Sequence, residues 1–107
     1  MQTFSPQQLL DCSGAGDCNG GIHPTAVKYY ETTGAALNSA YPYKGAKQSC
    51  QRPSGLTKVA KSTKYFLNGT PSQWMEAVAL GAVTMSFRVA TDFMSYKNGV
   101  YMKGDCS

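Results

Sequence analysis

The spacing of apolar residues changes along this chain, from a helical period in its first part to an alternating one near its end. Ser5-Pro6-Gln7-Gln8 precedes Leu9 and Leu10 and combines a capping residue, a proline at the first helical position and a glutamine at the third. This signature predicts a short helix. Thr70-Pro71-Ser72-Gln73 repeats it and predicts another helix, whose core-facing residues are Trp74, Ala77 and Val78.

A third helix is predicted between these two. It begins at His23-Pro24-Thr25, and Gly34 is its expected end, because glycine readily takes the left-handed backbone conformation of a helix stop. Its apolar face carries Ala26, Val27 and Tyr30.

Beyond Gly81 the apolar period drops from about 3.6 to about 2 residues, which is typical of a half-buried strand. The alternating apolar residues are Val83, Met85, Phe87 and Val89. The turn Lys97-Asn98-Gly99 then leads into a second predicted strand, Val100 to Met102.

Helices followed by strands predict an α+β fold with segregated halves. The best candidate for the boundary between the two halves is the sequence RPSG, Arg52 to Gly55. We therefore predict a first domain over residues 1–54 and a second over residues 55–107. With 42% hydrophobic and 15% charged residues, the chain fits one small domain or two half-domains and is neither fibrous nor disordered.

Charge and hydropathy argue against two classes of partner. The net charge is +4, but the lysines form no basic stripe of the kind that a phosphate backbone needs, so we expect no nucleic-acid binding. No apolar run approaches the roughly 18 residues of a transmembrane helix, so we expect no membrane span.

The N-terminal MQTFSPQQLLDC lacks the basic start and apolar stretch of a secretory signal, so none is predicted in this chain.

The cysteines could form disulfides or a metal site: Cys12, Cys18, Cys50 and Cys106. Four cysteines allow three fully paired connectivities, and the residues alone do not choose among them. Zinc is the competing interpretation, but Cys-x5-Cys with one distant histidine lacks the paired short spacings of a zinc site. The spacing favours disulfides, and no metal or cofactor is predicted. Asn68-Gly69-Thr70 is a glycosylation acceptor if the chain passes through a secretory compartment.

Cys18 and His23 are a candidate catalytic pair, because a reactive thiol needs a histidine within hydrogen-bond reach. Gly20 and Gly21 lie between them, however, and Pro24 starts a helix. The residues themselves favour a disulfide or buried Cys18 and a capping or surface His23. No Gly-x-Ser-x-Gly elbow is present, and the stretch SGAGDCNGG is not followed by the Gly-Lys-Ser/Thr of a phosphate loop.

Three stretches carry a resemblance to a known family. FSPQQLLDCSGAGDCNGGIHPTAVKYYETTGA resembles the papain and cathepsin L segment that runs S-x-Q-x-L-x-D-C, then C-N-G-G, then an amphipathic helix. AYPYKGAKQSC resembles the family's Tyr-Pro-Tyr turn, and MEAVALGAVTMSFRVATDFMSYKNGVYMKGDCS resembles its helix, its P-V-S-V strand and its F-x-x-Y-x-x-G-V-Y segment. The resemblance covers nearly the whole chain. It implies a papain-like α+β fold, with the end of the helical half followed by the start of the β-barrel half.

The resemblance also implies what these residues lack. The family's nucleophile lies in a Cys-Gly-Ser/Ala-Cys-Trp/Tyr motif after an oxyanion-hole glutamine, and its catalytic histidine and asparagine lie far downstream. None of these motifs is present in the sequence. We therefore expect a middle segment of a cysteine peptidase that carries no catalytic residue and is inactive alone. It either acts with a complementary chain that carries the missing cysteine and histidine or represents a gene truncated around the family core.

The same resemblance assigns the cysteines one by one. Cys12 and Cys50 match family cysteines that bond to each other, so this disulfide is predicted. Cys18 and Cys106 match cysteines whose family partners lie outside this segment. We expect these two to be unpaired thiols or to cross-link to another chain.

The glycines of C-N-G-G line the substrate cleft in the family, and the second offers its backbone N–H and C=O to an extended peptide. Gly20 and Gly21 take these positions, since a residue without Cβ lets a substrate backbone come close. Ile22 and His23 match the wall of the pocket for the substrate side chain two places before the scissile bond, and Ser86 matches its floor. His23 is polar where many relatives carry a proline or an apolar residue. Ordinary packing is the alternative role of Ile22 and Ser86.

Three hypotheses follow for function. The first is part of a papain-like peptidase that binds an extended peptide or protein substrate, in a lysosomal, vacuolar or secreted setting. The second is a catalytically dead, protease-derived module that binds a peptide or protein. The third is a small disulfide-stapled secreted protein of unrelated fold. The predicted strands have open edges, so we also expect self-association or marginal stability as a monomer.

Overall fold

The computed structural model describes residues 2–59, 61 and 69–102. Its elements follow in the order α1 (Pro6–Cys12), β1 (Gly16–Asp17), β2 (Gly20–Gly21), α2 (His23–Thr32), α3 (Pro71–Leu80) and a 3₁₀ helix (Thr91–Ser95). Helices together with a small antiparallel sheet confirm the predicted α+β class. None of the helices in the described ranges is long and apolar enough to cross a membrane.

The chain divides into two compact units, unit 1 (Met1–Thr70) and unit 2 (Pro71–Ser107). This division falls later in the chain than the RPSG stretch that the sequence suggested. Two backbone hydrogen bonds account for the difference. The N–H of Ala35 donates to the carbonyl of Thr57 at 2.8 Å, and the N–H of Thr57 donates to the carbonyl of Ala35 at 3.0 Å. The residues that follow RPSG are thereby joined to unit 1.

Helix α1 begins as its sequence signature predicts. Ser5 is the N-cap, and its Oγ accepts a hydrogen bond from the backbone N–H of Gln8 at 3.0 Å. Pro6 lies in the first turn, where a backbone N–H would have no helical partner. The reciprocal half of the capping box is absent, because the N–H of Ser5 donates to the carbonyl of Ala36 at 2.9 Å instead. The side chain of Gln8 is therefore available for contacts in the core.

The core of unit 1 contains a network of buried polar groups. Gln8 is 0% exposed. Its Oε1 accepts from the N–H of Ala36 at 2.8 Å, and its Nε2 donates to the carbonyl of Gly34 at 3.2 Å and to the hydroxyl of Tyr29 at 3.0 Å. Both polar atoms of this amide have partners, as burial requires. The other buried residues around it include Ser5, Gln7, Ala35, Ala36 and Tyr41.

Gln7 connects α1 to the segment 42–51, which has no helix or strand of its own. Its Nε2 donates to the carbonyl of Ala46 at 2.8 Å and to Asp11 at 2.9 Å, and its Oε1 accepts from the backbone N–H of Lys44 at 2.8 Å. Side-chain bonds from a buried glutamine thus replace the backbone pairing that regular structure would supply.

Helix α2 ends at the glycine that its sequence predicts. Gly34 has a φ of 98°, and its N–H donates to the carbonyl of Tyr30 at 3.1 Å. At the other end, Ile22 is the N-cap and makes no side-chain capping hydrogen bond. His23 is therefore the first helical residue and does not cap the helix.

Unit 2 begins with the predicted helix α3, and residues 82–90 follow without strand pairing. The predicted strands Val83 to Val89 and Val100 to Met102 are not formed, so these two predictions are wrong. A strand is stable when neighbours take up its N–H and C=O groups, and the described part of unit 2 contains no such neighbour. Alternating apolar residues consequently stay exposed, with Phe87 at 54% and Val89 at 52%.

Aromatic contacts stabilise the end of unit 2. The ring centroid of Phe93 lies 5.1 Å from that of Phe87, 5.6 Å from that of Tyr96 and 5.1 Å from that of Tyr101. Such ring pairs contribute about 0.5 to 1.5 kcal/mol each beyond their buried area. The hydroxyl of Tyr101 also donates to the carboxylate of Asp92. Phe87 and Tyr101, from the two segments that were predicted to form strands, thus both contact the ring of Phe93.

Candidate functional site

The predicted glycine pair lies in a short β-hairpin. Its strands pair Gly16 with Gly21 and Asp17 with Gly20, with a two-residue turn between them. The carboxylate of Asp17 accepts a hydrogen bond from the backbone N–H of Asn19 at 2.7 Å, which closes the turn. We call residues 15–22 the glycine hairpin.

The packing of the hairpin excludes a side chain at Gly16 and leaves little room for one at Gly21. A Cβ on Gly16 would lie 2.1 Å from the carbonyl oxygen of Gly20, and a Cβ on Gly21 would lie 3.0 Å from that of Ala15. At Gly20, in contrast, a Cβ would meet no atom within 4 Å, although a φ of 150° disfavours other residues there. Gly20 therefore faces open space. Sequence reasoning missed Gly16, although it stands four residues before the C-N-G-G pair that was singled out.

The backbone groups of Gly21 point away from the hairpin. In an antiparallel sheet, facing residues alternate between hydrogen-bonded and non-hydrogen-bonded pairs. The N–H of Ile22 donates to the carbonyl of Ala15 at 2.8 Å, which makes the next pair, Gly16 with Gly21, a non-hydrogen-bonded one. The N–H and C=O of Gly21 are consequently directed outward, away from β1.

The carbonyl of Gly16 is directed outward on the opposite edge of the hairpin. There it accepts a hydrogen bond from Nζ of Lys47 at 2.9 Å. Sequence reasoning did not single out Lys47, because the contact joins residues 31 positions apart and no local pattern marks it.

Ile22 and His23 continue the chain from the hairpin into α2, so the four predicted cleft residues of unit 1, which are consecutive in sequence, lie where the hairpin meets the helix. Ile22 is 63% exposed, and His23 is also exposed. Cys18, in the turn of the hairpin, is exposed and carries a free thiol. Its exposure differs from the buried or disulfide-bonded cysteine that the residues alone favoured.

The remaining candidates lie elsewhere. Ser86 is exposed and belongs to unit 2, in the segment 82–90 that forms no strand. Its place in a pocket with Ile22 and His23 stays a prediction. Cys106 and Asn68 lie outside the described residues. Among residues 2–59, 61 and 69–102, no group of three or more histidine, cysteine, aspartate or glutamate side chains is placed to hold a metal ion.

The disulfide implied for Cys12 and Cys50 is present in the structure, with Cα atoms 4.9 Å apart and a sequence separation of 38. It joins the last residue of α1 to the end of segment 42–51. Sγ of Cys12 also lies 3.8 Å from the hydroxyl of Tyr41. The bridge therefore fastens one end of a segment that Gln7 holds at its other end.

Asp11 supplies another anchor for the same segment. Its carboxylate accepts hydrogen bonds from the backbone N–H of Gln48 at 2.8 Å, the hydroxyl of Tyr41 at 2.9 Å and the amide of Gln7 at 2.9 Å. Burial alone raises the pKa of Asp11. These hydrogen bonds, that of Gln48 foremost, and the positive charge of Lys47 outweigh burial, so the pKa lies below the ordinary 3.8.

Acidification is expected to destabilise unit 1 through Asp11. A carboxyl whose folded-state pKa lies below its unfolded value stabilises the fold above the unfolded pKa, and this contribution is lost as the pH falls through the folded pKa. We expect the urea midpoint of unit 1 to fall as the pH drops below 3.8, and to fall less in Asp11→Asn. Urea titrations from about pH 6 to about pH 2 measure this, with Asp17→Asn as the control. The same pH dependence in wild type and Asp11→Asn would contradict the prediction.

Comparisons with known proteins find similarity to cysteine proteases. The profile described as papain family cysteine protease matches residues 1–107. The chain is 34% identical over 111 residues to a cathepsin L-like proteinase of Fasciola hepatica, an alignment that covers 98% of this chain and 34% of that protein. It is 38% identical over 112 residues to cysteine proteinase 3 of Solanum lycopersicum, covering 97% of this chain and 31% of that one. The chain thus spans about a third of the length of these curated relatives.

Among solved structures, the crystal structure of the ragweed pollen cysteine protease Amb a 11 in its proform is similar to part of this chain. The sequence identity is 32% and the TM-score is 0.49, over 54% of this chain and 19% of that one.

Proposed function

Because the chain belongs to the papain family of cysteine proteases, we propose that it is a segment of a papain-like peptidase and contributes the surface that holds an extended peptide substrate. The reaction of such a peptidase is peptide-bond hydrolysis by a thiolate nucleophile, an imidazole base and an oxyanion hole. The nucleophile motif and the catalytic histidine segment are not among these 107 residues. A complementary segment or chain supplies them, and this chain alone is inactive as a peptidase.

The outward backbone groups of Gly21 are the observation that supports this role most strongly. An extended peptide binds a strand edge through main-chain hydrogen bonds, which do not depend on the side chains of the peptide. Gly21 offers one N–H and one C=O for this purpose. The neighbouring Gly20 has open space where a Cβ would stand, so another backbone has room to approach.

Side-chain selection is assigned to the residues beside this edge. Ile22 and His23 are both exposed and directly follow Gly21. We assign them to the wall of the pocket for the substrate side chain two places before the scissile bond. The exposure of both side chains supports the assignment, since a bound peptide must be able to reach them.

The complementary chain would also pack against apolar side chains of unit 2 that are exposed in this chain. Those exposed by half or more include Met85, Phe87, Val89, Met94, Val100 and Met102. Exposed apolar area of this kind favours association, either with the rest of a peptidase domain or with a second copy of the chain.

A disulfide supports a lysosomal, vacuolar or secreted setting. The bond between Cys12 and Cys50 joins residues of one compact unit. Disulfides form in the secretory pathway and are rare in the cytosol. The chain is therefore assigned to a peptidase that passes through that pathway.

Peptide titration followed by NMR tests the proposed function. We expect a capped alanine peptide with a central leucine to shift the amide signals of Gly21 and Ile22 in a saturable way without being cleaved. Ile22→Ala should weaken binding about tenfold, the equivalent of about 1.4 kcal/mol of apolar contact. Leu37→Ala, which shortens another exposed apolar residue of unit 1, should not. Hydrolysis by the chain alone, or saturable shifts that avoid residues 20–23, would contradict the proposal.

A second measurement separates a peptidase segment from a catalytically dead binding module. The chain is mixed with a polypeptide that carries the family's nucleophile motif and catalytic histidine, and cleavage of the same peptide is followed. Cleavage that depends on both polypeptides supports the peptidase segment. Peptide binding that persists without any cleavage favours the binding module.

A further inference from the structure

We propose that Lys47 is a positioning residue for the glycine hairpin and thereby sets how tightly the hairpin binds an extended peptide. The inference rests on the proposed peptide-holding role of Gly21. Nζ of Lys47 donates to the carbonyl of Gly16 at 2.9 Å, and Gly16 lies directly opposite Gly21. One residue of this pair is thus fixed from the protein side, while the other presents its backbone groups to a ligand.

The hairpin needs such support because it has little of its own. Each strand is two residues long, and a two-stranded hairpin is at best marginally stable in water. Three of its four strand residues are glycines, which lose more backbone entropy on ordering than any other residue. The hydrogen bond from the charged Nζ of Lys47 restricts β1 at Gly16, the residue that pairs with Gly21.

Lys47 can hold the hairpin because the backbone on both sides of Lys47 is itself held. The carbonyl of Ala46 accepts a hydrogen bond from the buried Gln7 at 2.8 Å, and the N–H of Gln48 donates to Asp11 at 2.8 Å. Gln7 and Asp11 both belong to α1. The side chain of Lys47 thereby links helix α1 to the hairpin, with which no further strand pairs among the described residues.

Two variants and a control test the inference. Lys47→Met keeps the apolar stem and removes the donor, whereas Lys47→Arg keeps a charged donor. The control is Lys44→Met, because Lys44 contacts Gln7 through its backbone N–H and not through its side chain. The readouts are the dissociation constant of the capped leucine-centred alanine peptide, hydrogen exchange of the Ile22 amide, and the urea midpoint of unit 1.

We expect Lys47→Met to weaken peptide binding about fivefold, as fits the loss of one exposed charge-assisted hydrogen bond, and to speed exchange of the Ile22 amide. The urea midpoint should fall only slightly, through the loss of the positive charge near Asp11; Lys47→Arg should restore both hairpin readouts, and Lys44→Met should match wild type. Wild-type affinity and exchange in Lys47→Met would overturn the inference, and so would a lowered urea midpoint that accounts for the loss. If wild type itself does not bind the peptide, the proposed function fails, while the exchange comparison still decides whether Lys47 positions the hairpin.

Discussion

Replacing the buried Gln8 by methionine is expected to lower the free energy of unfolding of unit 1 by about 4 kcal/mol. Methionine has a similar length, so packing is largely kept while three hydrogen bonds are lost. The N–H of Ala36 and the carbonyl of Gly34 would then lose their side-chain partner. Each buried polar group left unpaired costs about 1 to 3 kcal/mol. Because small domains have about 5 to 15 kcal/mol in total, this change removes a large share of the stability.

Urea unfolding followed through the amide signals of unit 1 measures this effect. Gln48→Met is the matched control, since the exposed side chain of Gln48 donates to the carbonyl of Lys47 at 3.2 Å and sits outside the core. The control should change the free energy of unfolding by less than about 0.5 kcal/mol. Similar losses in the two variants would show that the buried amide network does not determine the stability of unit 1.

Removing the disulfide between Cys12 and Cys50 is expected to destabilise unit 1 by a comparable amount. The bond closes a loop with a sequence separation of 38, and the chain-entropy estimate for a loop of this length is about 4 kcal/mol. The double variant Cys12→Ala with Cys50→Ala should therefore have a much lower urea midpoint. Segment 42–51 should lose order first, because it has no helix or strand of its own.

Cys18→Ala provides the comparison for the disulfide variant. The thiol of Cys18 is free and exposed, so its removal should leave the urea midpoint unchanged. Reduction of wild type with a thiol reagent should reproduce the loss seen in the double variant. A double variant as stable as wild type would mean that contacts from Gln7 and Asp11 suffice to hold segment 42–51.

Local signals in the sequence predicted the helices correctly. The N-cap of α1 depends on Ser5 and on a backbone N–H three residues later. The end of α2 depends on Gly34 and a carbonyl four residues earlier. Both signals lie within one helical turn, so a short stretch of sequence contains all the groups that make them.

The strand predictions failed because a strand depends on partners that its own stretch of sequence does not contain. The alternation from Val83 to Val89 describes which side chains would share a face, but a strand also needs a neighbour for its backbone groups. The described part of unit 2 contains none, and residues 82–90 form no strand. The aromatic side chains near them pack around Phe93 instead. Alternation is a necessary feature of a half-buried strand and not a sufficient one.

At the candidate site, the resemblance to papain-like proteases singled out Gly20 and Gly21, and the structure shows what each position needs. Gly21 is close to Ala15, whereas Gly20 faces open space. The supporting residues Asp11 and Lys47 escaped sequence reasoning. Their contacts to Gln48 and Gly16 span 37 and 31 positions, and an ordinary aspartate or lysine carries no local mark of such a partner.

The sequence by itself determined the family, the helix boundaries set by Ser5 and Gly34, and the candidate glycine pair Gly20 and Gly21. These properties depend on groups that are near one another along the chain, or on motifs in a known order. Only the tertiary structure decided that Gln8 is a buried centre of hydrogen bonds and that Lys47 holds the strand opposite Gly21. Contacts of this kind require segments far apart in sequence to be brought together, and folding alone establishes which donors and acceptors then meet.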